Sequence, residues 1–480
     1  MRDTEKNDIM RRTIRNLIKR MLRLALLFVL SVLLVNLVRP ALHAELGADG
    51  REAISQLEFE SDSVGAERVI CIDDNDEALL WRLRMIGSAR ERLVLASFDL
   101  RPDESGTAVM ASLFAAAERG VRVQILVDGL YQVLFLRNDT AFRSLCAHEN
   151  VEARFYNPVA LKNSYRVNYR MHDKYILADD SMYLLGGRNT SETFLGTPQE
   201  GANIDRDLLV YHTAPGKGES FRQLEEYFLQ VWDEPCVEAA DERIGQEEIS
   251  AAHERFRSTY QELLGRYGAF EAYDGWEQAG YETNRITLLT NGTHAGNKEP
   301  RVLYALRWLA QNRREVLIQT PYVICDRAMY DVLRDMGERA KVQIFLNAVT
   351  RGSNPWGCTD YLNNKGKLLD TGADVYELMN EYAVHTKAVL LDDRLTVAGS
   401  YNFDMRSTYL DTELMLVVDS KPLNTHIRQT LEEYREKSVE VRSDGTETVG
   451  ERYEERELTA GKQVFYGVLR VLIRPFRHLL

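Results

Sequence analysis

The sequence from Arg170 to Asn189 reads RMHDKYILADDSMYLLGGRN, and the sequence from Ala383 to Asn402 reads AVHTKAVLLDDRLTVAGSYN. Both follow one pattern: His, any residue, Lys, four residues, Asp, six residues, Gly, Gly or Ser, any residue, Asn. Ordinary residue frequencies make chance a negligible explanation for this pattern occurring twice in one chain. The chain therefore contains a duplicated unit.

Each copy of the pattern has the apolar runs and the central turn of a β-hairpin, with the turn at Asp179 or at Asp392. His and Lys stand two positions apart, so their side chains point to the same face of the strand. The returning strand brings the Gly and Asn positions back beside them. We interpret Asp179 and Asp392 as turn residues that fix the hairpin.

The region before each hairpin also repeats. Residues 93–128 contain LVLASFDL, a helix-like stretch and VRVQILVD, and residues 316–347 contain VLIQTPYV, a helix-like stretch and KVQIFLN. Such a succession is typical of a strand, a crossover helix and a parallel strand. The sequence thus predicts two α/β halves.

Two facing hairpins would hold the groups that a phosphodiester reaction needs. Lys174 and Lys387 can neutralise the phosphoryl oxygens without a metal. One neutral histidine, of His172 and His385, can attack phosphorus while the other, protonated, gives its proton to the leaving alcohol. Further contacts to the substrate are expected from the amides and small residues of the returning strands, which are Asn189, Asn402, Gly186, Gly187, Gly399 and Ser400.

The two histidines need opposite protonation states at the start of the cycle, so each should have a carboxylate partner. Asp207 follows His172 in IDRDLLV, and Glu413 follows His385 in LDTELML. Both carboxylates stand in short apolar runs, where an unpaired charge would be costly to bury. We expect Asp207 and Glu413 to be these partners.

The N-terminal region carries an apolar run, LALLFVLSVLLVNLV, from Leu24 to Val38. Counted from Met21, it is about 18 residues or about 27 Å as a helix, enough to cross the hydrocarbon of a bilayer. The residues before it are strongly basic and favour a cytoplasmic N-terminus with the rest of the chain on the other side; they are Arg11, Arg12, Arg15, Lys19, Arg20 and Arg23.

Two alternatives to a membrane anchor are a cleaved signal peptide and a buried core helix. Ala41 and Ala44 offer cleavage sites, but Arg39 and Leu42, two positions upstream of each, are not the small residues that cleavage favours. A core helix would need no basic flank. The anchor is the favoured interpretation.

The C-terminal stretch Gly461–Leu480, GKQVFYGVLRVLIRPFRHLL, contains no acidic residue. It fits a basic amphipathic segment lying at a lipid surface. It fits equally a terminal helix docked on the protein's own core. The sequence leaves both interpretations open.

Composition limits the class of protein. The 480 residues suit two domains with attachments, and 45% apolar with 28% charged residues are the fractions of a folded protein. The net charge of −13 counts against generic coating of nucleic acid. The widely spaced cysteines indicate buried apolar residues and neither a disulfide framework nor a zinc site; they are Cys71, Cys146, Cys236, Cys325 and Cys358.

The duplicated pattern resembles that of the phospholipase D superfamily, and its details are similar to bacterial cardiolipin synthases. The supporting stretches are RVQILVDG (122–129), FYNP (155–158), RMHDK (170–174), GGRN (186–189) and GSYNFDMRS (399–407). The resemblance covers about residues 75–420. It implies an α/β fold of two phospholipase D-like domains, with mixed sheets flanked by helices, related by pseudo-twofold symmetry.

The resemblance also implies roles for residues at the seam between the halves. His172 would be the nucleophile and His385 the acid and base, with Asp207 and Glu413 behind them. Lys174, Lys387, Asn189 and Asn402 would bind the phosphoryl oxygens, next to Gly187 and Ser400. No metal or other cofactor is implied. Many such synthases have two membrane spans, whereas this sequence has one N-terminal candidate.

The leading hypothesis is phosphatidyl transfer that makes cardiolipin from phosphatidylglycerol, in a single-pass protein of the cell membrane with an extracytoplasmic catalytic part. Its partners would be anionic phospholipid and the membrane, not nucleic acid. The alternatives are a hydrolase releasing phosphatidic acid, a nuclease or other phosphodiesterase of the same superfamily, and a non-catalytic scaffold that binds lipid headgroups.

The sequence predicts a division of the chain into five segments. They are an anchor with its basic flank (1–45), a first phospholipase D-like domain (55–235), a helical connector (236–285), a second such domain (286–440) and a basic amphipathic tail (441–480).

Overall fold

The computed structural model describes residues 2–214, 216–240 and 243–480. Met1, Pro215, Asp241 and Glu242 lie outside the described residues, so the predicted segments 1–45, 55–235 and 236–285 are each described in part.

Two nine-stranded mixed sheets and two two-stranded sheets form the body of the described chain. The strands are β1 (Glu67–Ile72), β2 (Arg92–Ser97), β3 (Arg122–Asp128), β4 (Val151–Tyr156), β5 (Lys174–Ala178), β6 (Met182–Gly186), β7 (Asn203–Ile204), β8 (Asp207–His212), β9 (Val237–Ala239), β10 (Tyr281–Glu282), β11 (Arg285–Thr290), β12 (Glu315–Gln319), β13 (Val323–Ile324), β14 (Lys341–Asn347), β15 (Asp374–Leu378), β16 (Ala383–Val384), β17 (Ala388–Leu391), β18 (Leu395–Gly399), β19 (Phe403–Asp404), β20 (Leu414–Asp419), β21 (Ser438–Val441) and β22 (Glu447–Val449).

The helices flank these sheets or extend from them. They are α1 (Arg2–Val38), α2 (Ala48–Gln56), α3 (Asn75–Ser88), α4 (Glu104–Glu118), α5 (Gly129–Tyr131), α6 (Thr140–Cys146), α7 (Glu219–Trp232), α8 (Gln246–Tyr267), α9 (Trp276–Ala279), α10 (Arg301–Ala310), α11 (Arg327–Gly337), α12 (Pro355–Leu369), α13 (Met405–Tyr409), α14 (Lys421–Glu436) and α15 (Ala460–Leu472).

Eight strands follow the same order in the two halves. They run β1-β8-β6-β5-β2-β3-β4-β9 in the first sheet, where β10 is added beside β1, and β11-β20-β18-β17-β12-β14-β15-β21 in the second, where β22 is added beside β21. β2 pairs in parallel with β3 across α4, and β12 pairs in parallel with β14 across α11. These pairs confirm the predicted strand, helix and parallel strand in each half, and with them the duplicated α/β fold.

The two motif hairpins are confirmed as β5–β6 and β17–β18. Asp179 and Asp392 each stand in the turn with φ of 49°. The Asp179 carboxylate accepts the backbone N–H groups of residues 90–92, and that of Asp392 accepts those of Arg314 and Glu315. Each turn is thereby tied to the start of the neighbouring strand.

The two halves exchange backbone contacts at the edge of the sheets where the two motif hairpins begin. β7 of the first half pairs in parallel with β16 of the second, and Met171 forms an isolated bridge with Thr412. Because Met171 precedes His172 and β16 precedes His385, each motif histidine stands beside backbone from the opposite half. These backbone contacts hold the two halves together at their boundary.

The chain ends extend from this body. Among the described residues, one helical stretch, Met10–Ala41, is long and apolar enough to cross a membrane, and its span is unburied by the body. At the other end, α15 packs on α12 through Tyr466 and Leu469, while Val464 and Val468 on its opposite face are exposed. The C-terminal segment is thus docked on the body and still presents an apolar surface.

Candidate active site

His172 lies just before β5 and is held by the second half. Its Nδ1 is 2.9 Å from Oε1 of Glu413, which is fully buried. Its backbone N–H donates to the hydroxyl of Thr412 at 3.2 Å. The Ser400 hydroxyl donates to the other Glu413 oxygen. With Nδ1 directed at a carboxylate, Nε2 is left for the reacting group.

His385 lies just after β16 and is held by the first half. Its Nδ1 is 2.7 Å from Oδ2 of Asp205, and its backbone N–H donates to the Ile204 carbonyl at 2.7 Å. Lys387 Nζ lies 3.3 Å from the same Asp205 oxygen and also contacts the His385 ring. Each histidine therefore takes its carboxylate from the opposite half, and neither half completes a pair alone.

The prediction that Asp207 is a histidine partner is wrong, because Asp205 is the carboxylate beside His385. Gly186 of β6 is opposite Asp207 in the sheet, whereas Gly399 of β18 is opposite Met415. Asp207 is therefore equivalent to Met415. Two residues earlier on each returning segment stand Asp205 and Glu413, the equivalent pair.

Asp207 instead forms a buried ion cluster within the first half. Its Oδ2 accepts from Arg82 at 2.9 Å and from Arg188 at 3.2 Å, and all three side chains are buried. Asp205 and Asp207 stand two residues apart in IDRDLLV, so the sequence offers two carboxylates for one partner position. Strand register, which sequence spacing does not fix, identifies Asp205.

The small residues of the hairpins serve the protein's own carboxylates and strands. A Cβ at Gly187 would lie 2.3 Å from Asp205 Oδ1, and one at Gly399 would lie 2.1 Å from the Leu414 carbonyl oxygen. Ser400 is fully buried with its hydroxyl on Glu413. The expectation that Gly187 and Ser400 contact the substrate is thus corrected, because their space and hydrogen bonds are taken by Asp205 and Glu413.

The lysines and asparagines of the motif lie at the same edge. Lys174 and Lys387 are buried, and Lys174 Nζ donates to the His172 carbonyl at 2.5 Å. Asn189 and Asn402 are also buried, and the side-chain Oδ1 of each has no hydrogen-bond partner among the described residues. An amide oxygen can only accept a hydrogen bond, so a contact of these two residues with an anionic group would be made by their side-chain N–H groups, which can donate.

The two histidines belong to one electrostatic environment. After burial, Lys174 and Lys387 are the next causes that lower the pKa of His172, and Lys174 also acts to lower the pKa of His385. Matched aromatic rings stand beside the imidazoles: Phe98 is 4.8 Å from His172 and Phe194 is 5.2 Å from His385, both edge-on. The lysines and imidazoles of the two motifs therefore influence one another electrostatically.

The surroundings of both imidazoles favour the neutral form. Burial, followed by the nearby ammonium groups, lowers the pKa of His172 well below its usual value and the pKa of His385 to about 4. The opposite protonation states expected at the start of the cycle therefore require an added negative charge. A phosphodiester between the lysines would supply it.

The two partner carboxylates differ in charge. Burial raises the pKa of Glu413 to about 7. Burial acts in the same direction on Asp205, but Lys387 and His385 outweigh it and lower the pKa of Asp205 to about 2. Asp205 thus keeps its negative charge beside His385, whereas burial makes Glu413 beside His172 easier to protonate.

Among the described residues, one cluster brings together three metal-ligating groups, and it contains none of the motif residues. Cys71, Asp73 and His426 bring ligand atoms within 4.8 Å of one another. Arg206 donates to Asp73 Oδ1 at 2.6 Å, and His426 Nε2 lies 3.1 Å from its Oδ2. The Arg206 guanidinium already supplies the positive charge that an ion would bring, so the cluster does not fit a metal site.

A family model described as cardiolipin synthase, phospholipase D-like domain, matches residues 83–232 and 306–435, one segment in each half. The chain belongs to the phospholipase D superfamily. Within this superfamily it resembles the cardiolipin synthases, and its two hairpins hold the duplicated motif.

Individual relatives agree with this placement. Cardiolipin synthase C of Escherichia coli (strain K12) is 25% identical over 399 residues, which cover 72% of this chain and 80% of that protein. The major cardiolipin synthase of Bacillus subtilis (strain 168) is 25% identical over 372 residues, covering 76% and 69%. A phosphatidylserine synthase from Haemophilus influenzae has the same fold, with a TM-score of 0.61 at 14% identity over 90% of this chain and 99% of that one.

Proposed function

We propose that this chain transfers a phosphatidyl group from one phosphatidylglycerol to a hydroxyl of another, giving cardiolipin and glycerol. The observation that carries the proposal is the reciprocal pairing of His172 with Glu413 and of His385 with Asp205. This exchange holds two imidazoles, each with Nδ1 occupied, beside two ammonium groups at one seam. Such a set suits double displacement at phosphorus.

In the first step, Nε2 of His172 attacks phosphorus and the bond to the headgroup oxygen breaks. The proton on Nε2 of His385 passes to that oxygen, so glycerol leaves as a neutral alcohol and a phosphohistidine remains. In the second step, His385 removes the proton from a hydroxyl of another phosphatidylglycerol. That oxygen attacks phosphorus, breaks the bond to His172 and restores both imidazoles.

The assignment of roles rests on the two carboxylates. Asp205 stays ionised and can stabilise the imidazolium form of His385, as a proton donor requires. Burial and the lysines lower the pKa of His172 well below its usual value, so its ring is neutral, and Glu413 in its ionised form accepts the Nδ1 proton and leaves the lone pair of Nε2 free for attack. Lys174, Lys387 and the amides of Asn189 and Asn402 bind the phosphoryl oxygens.

A lipid substrate is supported by the names of the relatives and by an apolar path. The ring of Phe98 lies 4.8 Å from His172 and 4.6 Å from Tyr131, and Tyr131 lies 6.0 Å from Phe135. Phe135 and its neighbour Leu134 are exposed. Acyl chains can follow these side chains from the surface toward the imidazole.

The membrane anchor completes the proposal. Helix α1 crosses the cell membrane once, with the basic N-terminal flank in the cytoplasm and the catalytic body on the opposite side. The segments 1–45, 55–235, 236–285, 286–440 and 441–480 are proposed as the functional divisions of the chain. Substrate and enzyme then meet in the same bilayer.

Purified protein given phosphatidylglycerol vesicles tests this function by its products. We expect cardiolipin and glycerol in equal amounts, unchanged by chelator, and no turnover by His172→Ala. His212→Ala, at the far end of β8, is the matched control and should keep activity. Phosphatidic acid as the only product would establish a hydrolase instead, and no turnover by the wild type would favour a lipid-binding scaffold.

A further inference from the structure

Helix α1 meets the catalytic body well before the helix ends. The hydroxyls of Ser31 and Tyr165 are 3.0 Å apart, and the ring of Phe28 lies 5.9 Å from that of Tyr165. The Asn36 amide donates to the Ser164 carbonyl at 2.7 Å. These contacts fasten the 3₁₀ turn Leu161–Arg166 to the side of the apolar stretch.

The helix itself gives the depth of these contacts. At 1.5 Å per residue, Ser31 lies about 10 Å and Phe28 about 15 Å along the axis from Val38, the end of the apolar run. A body segment that touches Ser31 must therefore lie at the level of the lipid headgroups and upper acyl chains if α1 spans the bilayer. The body cannot stand clear of the membrane.

The surface near this contact carries exposed apolar side chains among basic residues. Leu161 is 76% exposed and Leu134 is 59% exposed. The segments that carry them are neighbours, since Val133 and Val159 line one cavity of about 450 Å³ between them. We call Leu134, Phe135, Leu161 and Tyr165 the apolar rim. Leu134 and Phe135 also begin the path that leads to His172 through Tyr131 and Phe98.

The C-terminal tail provides a second apolar surface near the C-terminal end of α1. The His478 ring lies 2.7 Å from the Leu37 carbonyl oxygen. Arg406 donates a hydrogen bond to the carbonyl of Leu479, and the same Arg406 acts to lower the pKa of His172. The outward face of the preceding α15 is an exposed stripe with basic neighbours and no acidic residue between Gly461 and Leu480; it consists of Val464, Phe465, Val468, Val471 and Leu472.

We propose that the catalytic body is partly immersed in the leaflet next to it, with the apolar rim and the outward stripe of α15 in contact with lipid. The proposal rests on the membrane-spanning α1 of the proposed function. Its consequence is that phosphatidylglycerol reaches His172 by lateral movement from the leaflet without first leaving the bilayer. Anionic lipid suits this surface because the tail is basic while the chain as a whole is acidic.

Spin labels placed on the full chain in vesicles of phosphatidylglycerol and phosphatidylethanolamine test the immersion. In a Cys71→Ser background, single cysteines replace Leu27 in the anchor, Leu161 in the rim, Val468 in the stripe and, as a matched exposed control, Val64 at the opposite end of the sheets. We expect the labels at Leu161 and Val468 to be reduced by aqueous ascorbate about tenfold more slowly than the label at Val64, as for groups buried 5–10 Å in the interface.

The label at Leu27 separates the two proposals. Fast reduction at Leu27 would overturn the membrane-spanning anchor and the immersion with it. Protection at Leu27 together with fast reduction at Leu161 and Val468 would overturn the immersion alone.

A kinetic comparison gives an independent answer. Leu161→Asp should raise KM for phosphatidylglycerol in vesicles several-fold and leave KM for a soluble short-chain analogue unchanged. The matched Val64→Asp variant should change neither. Equal effects of Leu161→Asp on both substrates would mean that the rim supports folding of the site and does not contact lipid.

Discussion

At the residue scale, the proposed transfer reaction depends on the exchange of carboxylates between the two halves. His172 depends on Glu413 and His385 on Asp205, so each half supplies the orienting group for the other half's imidazole. The sequence pattern was sufficient to identify both histidines, both lysines and both asparagines, because hairpin spacing determines their relative positions. It was not sufficient for Asp205, since two carboxylates stand two apart and only strand register distinguishes them.

Replacing Asp205 tests that distinction. Asp205→Asn should lower kcat/KM by about 10²–10⁴-fold, because the carboxylate that stabilises the His385 imidazolium is lost. Asp207→Asn should instead lower the melting temperature, since it unpairs Arg82 and Arg188, while activity per folded molecule persists. Equal loss of activity in folded preparations of both variants would contradict the assignment.

Proton uptake on binding follows from the same residues. The pKa of His385 is about 4 without ligand, and a bound phosphodiester anion raises it. Binding at neutral pH takes up a proton when the pKa in the complex exceeds about 7, and affinity then falls as pH rises from about 4 to the pKa of the complex. Titration calorimetry with a phosphonate analogue, in buffers of different ionisation enthalpy, should show this uptake in the wild type and not in His385→Ala. Buffer-independent heats in the wild type would contradict it.

At the element scale, the hairpins position the site through close strand contacts. The pattern predicted both hairpins and the turn roles of Asp179 and Asp392, because period-two alternation and turn residues are local signals. The sequence pattern also predicted that the glycines contact the ligand, whereas Gly187 makes room for the Asp205 carboxylate. Which neighbour fills the space above a glycine is a property of the assembled sheet, and local sequence does not contain it.

Gly187→Ala should displace the Asp205 carboxylate from His385. A misplacement of about 1 Å can cost about 10²-fold in rate, so kcat should fall by that order with little change in KM. Gly265→Ala in α8, where a Cβ meets nothing within 4 Å, is the matched control and should keep full activity. If Gly187→Ala kept the wild-type kcat, the reaction would not depend on the position of the Asp205 carboxylate beside His385.

At the scale of the whole molecule, one chain contains a complete site at the seam of two similar halves. The duplication made this architecture predictable, since two copies of one hairpin imply a twofold arrangement. The docking of α15 was not predictable, because a basic amphipathic pattern serves a lipid surface and a protein core equally. The contacts of α1 with residues 161–168 were also beyond sequence reasoning, as they join distant polar residues that follow no periodic pattern.

Co-expression of His172→Ala with His385→Ala tests whether the site forms within a single chain. Each variant lacks one imidazole, and the intact imidazoles stand in different molecules, so cardiolipin formation should stay at background. Measurable recovery of activity in the mixture would show that halves from two chains assemble one site.

The most direct test is to trap the covalent intermediate. Protein mixed with phosphatidylglycerol labelled at its phosphorus is quenched in alkali within one turnover, and the labelled peptide is mapped. We expect an alkali-stable, acid-labile phosphoryl group on His172, absent from the His172→Ala variant. Label on His385 instead, or rapid turnover with no labelled histidine at any time, would contradict a phosphohistidine at His172.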